Sequence, residues 1–225
     1  VQLGYFIGIS RGVPLSLVLI IEFTAPIWIV LWIKFVRKSV VAKDMWIAIA
    51  LSLLGLILVA KAWQGFVFDL IGTLGALGAA LALAVYFLMS QSQGVKRSAQ
   101  AMIVWGFGVS GLFWSLVLPI WNFPTEIFTT DINLQGRFSD YSAPGWLLIA
   151  YIVVFGTMVP YLFVVGGIRR LSASTSSVIG MLEPVIAGVF AWIWLSQSWS
   201  AIQLFGGAIV LIGIYIADRA KTNAK

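Results

Sequence analysis

The 225-residue chain contains no cysteine and no histidine, and charged residues make up only 10% of it. Without cysteine there are no disulfides, thiolate nucleophiles or soft metal sites. Without histidine there is no HExxH zinc helix and no Ser–His or Cys–His catalysis. Neither a metal nor a cofactor is expected. A soluble domain carries about 25% charged residues; at 10% there is too little polar surface to clothe a globule of this size, and a soluble enzyme is excluded. What fills the space is apolar: 61% hydrophobic residues and a mean hydropathy of +1.02. These residues come in long blocks rather than in period-2 alternation. A bilayer is the solvent such a chain needs, and only helices or a closed barrel satisfy every backbone group there. Blocks near twenty residues select helices, giving an all-α polytopic membrane protein.

Seven apolar blocks run over 14–35, 44–60, 66–89, 101–121, 145–167, 173–195 and 201–217. They follow a stub whose first ten residues read as the end of a helix already under way. The chain opens Val1-Gln2-Leu3 without a methionine, so an N-terminal fragment is expected. Connections are short and polar except the loop 122–144, which holds Glu126, Asp131, Arg137 and Asp140. The net charge of +6 reads as topology rather than as nucleic-acid binding. Counting alternate sides from the tail, one side takes 11 of the 14 basic residues: Lys34, Arg37, Lys38, Lys43, Lys96, Arg97, Arg169, Arg170, Arg219, Lys221 and Lys225. The other takes Arg11, Lys61 and Arg137. The positive-inside rule then makes the tail cytoplasmic in a cell (inner) membrane, with the long loop outside. Trp63, Trp121, Trp146 and Trp199 fall at outer helix ends, as an interfacial belt requires.

An offset of 158 residues aligns chemically special positions without a gap: Gly8 with Gly166, Arg11 with Arg169, Ser16 with Ser174, Pro26 with Pro184 and Gly55 with Gly213. The two copies enter the membrane from opposite sides. Inverted repeats of this kind are a transporter architecture, with the site near mid-membrane at the repeat interface. The second copy spans five helices and the first only two and the end of a third, so roughly 90 residues are expected before Val1 if the repeat is complete.

Specific motifs then carry a resemblance. Gly156-Thr157-x-x-Pro160-Tyr161, the small-polar run 172–177, Leu182-Glu183-Pro184-Val185 and Gly206-Gly207-x5-Gly213 resemble the second half of an EamA-type transporter of the drug/metabolite transporter superfamily. Tyr5, Pro26 and Gly55 resemble the matching first half, and Asp69-x-x-Gly72 through Tyr86 resembles the helix opening the second repeat. The resemblance implies ten helices in two inverted five-helix repeats. Residues 1–62 would be the C-terminal part of the first repeat, 66–218 the second repeat and 219–225 a cytoplasmic tail. It also implies movement of small organic metabolites, with export the expected direction. Two departures stand out: the first two helices and most of the third are missing, and Gln197 replaces the acidic residue that often closes the Glu-Pro helix.

Only two acidic residues lie deep in apolar blocks, Glu22 and Glu183. A carboxylate there costs about 2.5–3.5 kcal/mol on insertion scales, which makes both functional candidates. Glu183, placed near the middle of its block, would bind a cationic substrate group or carry a coupling proton; the alternative is a neutral or hydrogen-bonded Glu that locks helices. The same two readings apply to Glu22, with the locking role favoured. Pro26, Pro160 and Pro184 are expected to kink their helices, Pro184 leaving the Gly180 carbonyl and Pro26 the Glu22 carbonyl without a helical donor. Thr157 and Tyr161 are second-tier candidates beside a plain kinked packing helix. Tyr86 and Trp105 would line a pore or face lipid, and Trp28 and Trp32 read as a packing stripe. Gly72, Ala76, Ala80 and Ala84 form a smooth helix face, and Gly206 and Gly213 serve close packing in the last block. Arg11 and Arg169 could select anions, yet both lie at membrane edges, where the Arg169-Arg170 pair reads as a topology anchor.

The leading reading is a secondary transporter of amino acids, amines or drug-like solutes working by alternating access, with the bilayer and a small molecule as partners. A passive channel or a non-transporting membrane subunit is the alternative class. A homodimer is a partner reading that would complete a short chain. An intramembrane enzyme is disfavoured because the blocks hold no paired-Asp or Ser–Lys constellation.

Overall fold

The structure, a computed structural model, describes residues 1–63, 69–93, 98–118, 121 and 123–222. Lys96, Arg97 and Lys225 from the charge pattern lie outside the described residues, as do 66–68, 119 and 120 from the apolar blocks and the side chains of Arg169 and Lys221. The apolar blocks are helical. They form α1 (Gln2–Ser10), α2 (Leu15–Glu22), α3 (Ala25–Phe35), α4 (Lys43–Val59), α5 (Leu70–Gln93), α6 (Ala99–Val117), α7 (Gly145–Val153), α8 (Val159–Arg170), α9 (Ala173–Gly180), α10 (Glu183–Leu195) and α11 (Ala201–Thr222).

Among the described residues, six stretches are long and apolar enough to cross a membrane: Leu15–Phe35, Leu70–Ser92, Gln100–Val117, Gly145–Ile168, Ala173–Leu195 and Ala201–Ala220. The block 44–60 forms α4, whose 17 residues rise about 26 Å, a little less than a hydrocarbon core of about 30 Å.

Two spans are broken rather than merely kinked. The first pauses at Phe23 and Thr24 and restarts at Ala25 with Pro26 in its opening turn; the second pauses at Met181 and Leu182 and restarts at Glu183 with Pro184 in its opening turn. Proline has no N–H for the carbonyl four residues back, but its fixed φ suits the first turn of a helix. Each break therefore falls just ahead of its proline. The helix bounds also keep the 158-residue offset: Leu15–Glu22 against Ala173–Gly180 at both ends, and Ala25, Lys43 against Glu183, Ala201 at their starts.

Close backbone packing joins α4 to α11. A Cβ added to Gly55 would lie 2.6 Å from the Gly206 oxygen, one added to Gly206 would lie 2.7 Å from the Gly55 oxygen, and Gly213 presses on Ser52. Gly72 meets Val13 in the same way on α5, with Ala76, Ala80 and Ala84 buried beside it. In lipid, helices gain little from burying apolar area against one another, so small residues that allow close van der Waals contact do the joining. Around these seams Ile29, Val30, Leu56, Val178, Met181 and Val210 are fully enclosed.

The long loop is more ordered than its composition suggests. A 3₁₀ turn (Thr125–Phe128) precedes a short hairpin of β1 (Asp131–Asn133) and β2 (Ser142–Pro144), with Asp131 opposite Pro144. The hairpin end folds against the end of α10: Trp194 Nε1 donates to the Leu134 carbonyl at 2.9 Å, the Phe138 and Trp194 rings lie 4.7 Å apart, and Arg137 Nε donates to Ser196 Oγ at 3.1 Å. These contacts join two segments that the charge pattern assigns to one side. Trp63, Trp121 and Trp146 are exposed, whereas Trp199 turns inward and donates to the Gly188 carbonyl at 2.9 Å.

Candidate functional site

The two breaks open onto a common cavity of about 460 Å³. Glu22 closes α2, Glu183 opens α10, and both carboxylates line the cavity with Tyr5, Tyr86, Tyr161, Pro26, Pro160, Ser177 and Gly180. The sequence places Glu183 near mid-helix; the structure corrects this, because Pro184 starts a new helix and puts Glu183 at its first residue. The two acids thus occupy opposite kinds of helix end. An N-terminus favours negative charge and a C-terminus opposes it.

Glu22 is half-buried and Glu183 more exposed, and the Glu183 charge reaches Glu22. Tyr5 and Tyr161 also feel both carboxylates. Among the described residues neither carboxylate accepts a hydrogen bond or forms an ion pair. No Lys or Arg side chain is among the lining residues. If both acids are ionised, a cation or protons are the charge-complementary guests.

A second cavity of about 600 Å³ adjoins the first between α5, α6 and α8. Tyr86 and Tyr161 line both, their rings 6.2 Å apart and edge to face; Tyr161 also meets Phe107 of α6 at 5.3 Å. The Tyr86 hydroxyl oxygen is shut off from solvent and has no hydrogen-bond partner among the described residues. Thr157 lines this second cavity and lies in a π-helical turn, Val154–Met158, where its hydroxyl donates to the Ile152 carbonyl at 3.2 Å. The extra residue in that turn loosens the helix just ahead of Pro160.

Of the sequence candidates, Glu22, Glu183, Tyr86, Tyr161, Pro26 and Pro160 meet at the first cavity and Thr157 at the second. Pro184 is beside Glu183 but lines neither, and Trp105 is an exposed ring that lines neither. Trp28 is tied locally, its Nε1 donating to Thr24 Oγ1 at 3.2 Å, while Trp32 is exposed. Ser177 was not singled out by sequence. The signal was its place in the small-polar run 172–177, which the structure buries along α9, with Ser172 accepting from the Thr175 N–H at 3.1 Å as helix cap.

A bundle of apolar helices with carboxylates facing an internal cavity defines a polytopic membrane protein of the transporter class. Residues 70–217 match the EamA-like transporter family, and the chain belongs to that family. It is 21% identical over 214 residues to an uncharacterized transporter of Archaeoglobus fulgidus, covering 95% of this chain and 71% of that protein. It is 24% identical over 208 residues to the uncharacterized transporter YdfC of Bacillus subtilis, covering 92% of this chain and 62% of that protein. One solved crystal structure superposes with a TM-score of 0.74 at 18% identity, over 96% of this chain and 72% of the other, and so shares the fold.

Proposed function

We propose that the chain is the larger part of a secondary transporter that moves a small organic solute by alternating access between two inverted repeats. Residues 1–62 close the first repeat, 66–218 form the second, α4 is the seventh span, and the tail is cytoplasmic. The observation that carries this reading is the convergence of two unpaired intramembrane carboxylates and two broken spans on one cavity. Broken helices that meet at a cavity supply exposed backbone groups where a substrate needs them. The 158-residue offset in helix bounds supports the repeat. Glu183 serves as the group that holds a cationic substrate moiety or the coupling proton, Glu22 as its neighbour across the cavity, and Tyr86, Tyr161 and Thr157 as wall. Export is the working direction.

Counterflow in proteoliposomes tests the reading. A carrier preloaded with unlabelled solute accelerates uptake of the labelled form, whereas a passive channel or a non-transporting subunit does not. Glu183→Gln is expected to abolish the pH dependence of that exchange. Exchange that stays full and unchanged across pH in a well-folded Glu183→Gln protein would remove the proton role.

A further inference from the structure

The two adjoining cavities differ in kind, and the difference bears on the substrate. This inference rests on the transporter reading above. The first chamber carries two carboxylates and no Lys or Arg side chain; the second carries no charged side chain and is walled by Ile103, Phe107, Phe113 and Trp114. Tyr86 and Tyr161 stand where the two meet, since both rings line both chambers. We propose that the substrate is an amphiphilic organic cation, its charge held between Glu22 and Glu183 and its apolar or aromatic group held in the second chamber past the tyrosine pair.

Three physical arguments carry this. A cation beside two carboxylates that line one cavity relieves the repulsion between their charges. Aromatic faces within about 6 Å of a cation add attraction, and the tyrosine pair stands on the path between the chambers. A zwitterion fares badly here: its carboxylate meets two acids with no basic side chain to receive it, which sets amino acids apart from amines and drug-like cations. A neutral solute would use the second chamber but bring no charge to the two acids. The combined space, about 460 Å³ and about 600 Å³, admits a drug-sized molecule.

The test is equilibrium binding of radiolabelled tetraphenylphosphonium to the full chain purified in detergent. Saturable binding is expected. Glu22→Gln and Glu183→Gln should each weaken it about tenfold or more, equivalent to about 1.4 kcal/mol. Glu183→Asp, which keeps the charge, should bind within a few-fold of the parent and shows that the site folds. Tyr161→Leu should also weaken binding, through the shared wall. Triphenylphosphine oxide, similar in bulk but neutral, and phenylalanine, a zwitterion, should compete poorly. Equal competition by the neutral compound, or unchanged binding in both Gln variants, would overturn the cation assignment. Counterflow separates the two claims. Glu-dependent binding with no trans-stimulated exchange of tetraphenylphosphonium removes the transporter reading and leaves the cation site. Trans-stimulated exchange of phenylalanine without cation binding removes the cation site and leaves the transporter.

Discussion

The two broken spans share a local device and differ in how they are held. In the first, α3 is wedged into the bundle, with Ala25, Pro26, Ile29 and Val30 buried. In the second, α9 is buried over most of its length, while α10 has no buried residue. The most apolar stretch of Leu15–Phe35 is 33% buried and that of Ala173–Leu195 only 11%. The restraints on α10 are instead at its far end and flank, where the hairpin loop grips Trp194 and Ser196 and Trp199 lies over Gly188. The lesson is that a proline break makes a half-helix separable, and the packing after it decides whether that half is held along its length or only at its end. By this contrast α3 is the tightly packed side of the cavity and α10, which carries Glu183, the side held at its end and flank.

The sharpest way to break the contrast is to truncate one apolar residue in each half-helix. Ile29→Ala should cost about 2–3 kcal/mol, since Ile29 is fully enclosed. Ile193→Ala, 47% exposed, should cost less than about 0.5 kcal/mol. Reversible unfolding in an SDS titration measures both, and equal losses would dissolve the distinction. Next in size is Trp194→Ala, which removes a hydrogen bond and a ring contact from the loop clamp. It should cost about 1–2 kcal/mol and expose the loop 131–142 to faster limited proteolysis; unchanged cleavage would mean that the clamp does not restrain α10. Thr24→Val probes the first break, where the Thr24 hydroxyl donates to the Ile21 carbonyl at 2.6 Å and accepts from Trp28. The second break has Leu182 at the matching position, with no hydroxyl. Thr24→Val should cost about 1 kcal/mol and shift Trp28 fluorescence, and an unaltered spectrum would count against a pinned first break. Smallest of all is Arg11→Ala. The Arg11–Asp69 pair is 3.5 Å apart and its side chains are 49% and 29% exposed, so the loss should stay under about 0.5 kcal/mol and fade in salt.

Sequence and structure part company at specific residues. Helices were legible because blocks of about twenty apolar residues have no other solution in a bilayer. Pro26 and Pro184 marked where two of them yield. The depth of the interruption was not legible, because a proline can bend a helix or end it, and neighbouring packing decides which. That Glu22 and Glu183 share a cavity follows from the way α2 and α10 are brought together, a long-range arrangement with no local trace beyond the rarity of carboxylates in such blocks. The π-helical turn at 154–158 and the hairpin at 131–144 left weaker marks: a Thr-x-x-Pro spacing in one case and a run of polar residues in the other.

The shortness of α4 has a consequence for the surrounding lipid. Its 17 residues are pressed along the 22-residue α11 through Gly55 and Gly206, yet Ile47 and Leu54 look outward. A hydrophobic segment a few ångström shorter than its neighbours makes acyl chains compress or headgroups dip beside it. With α4 as the proposed seventh span, the bilayer would be thinnest against it, and lipids of shorter chain should gather on that face.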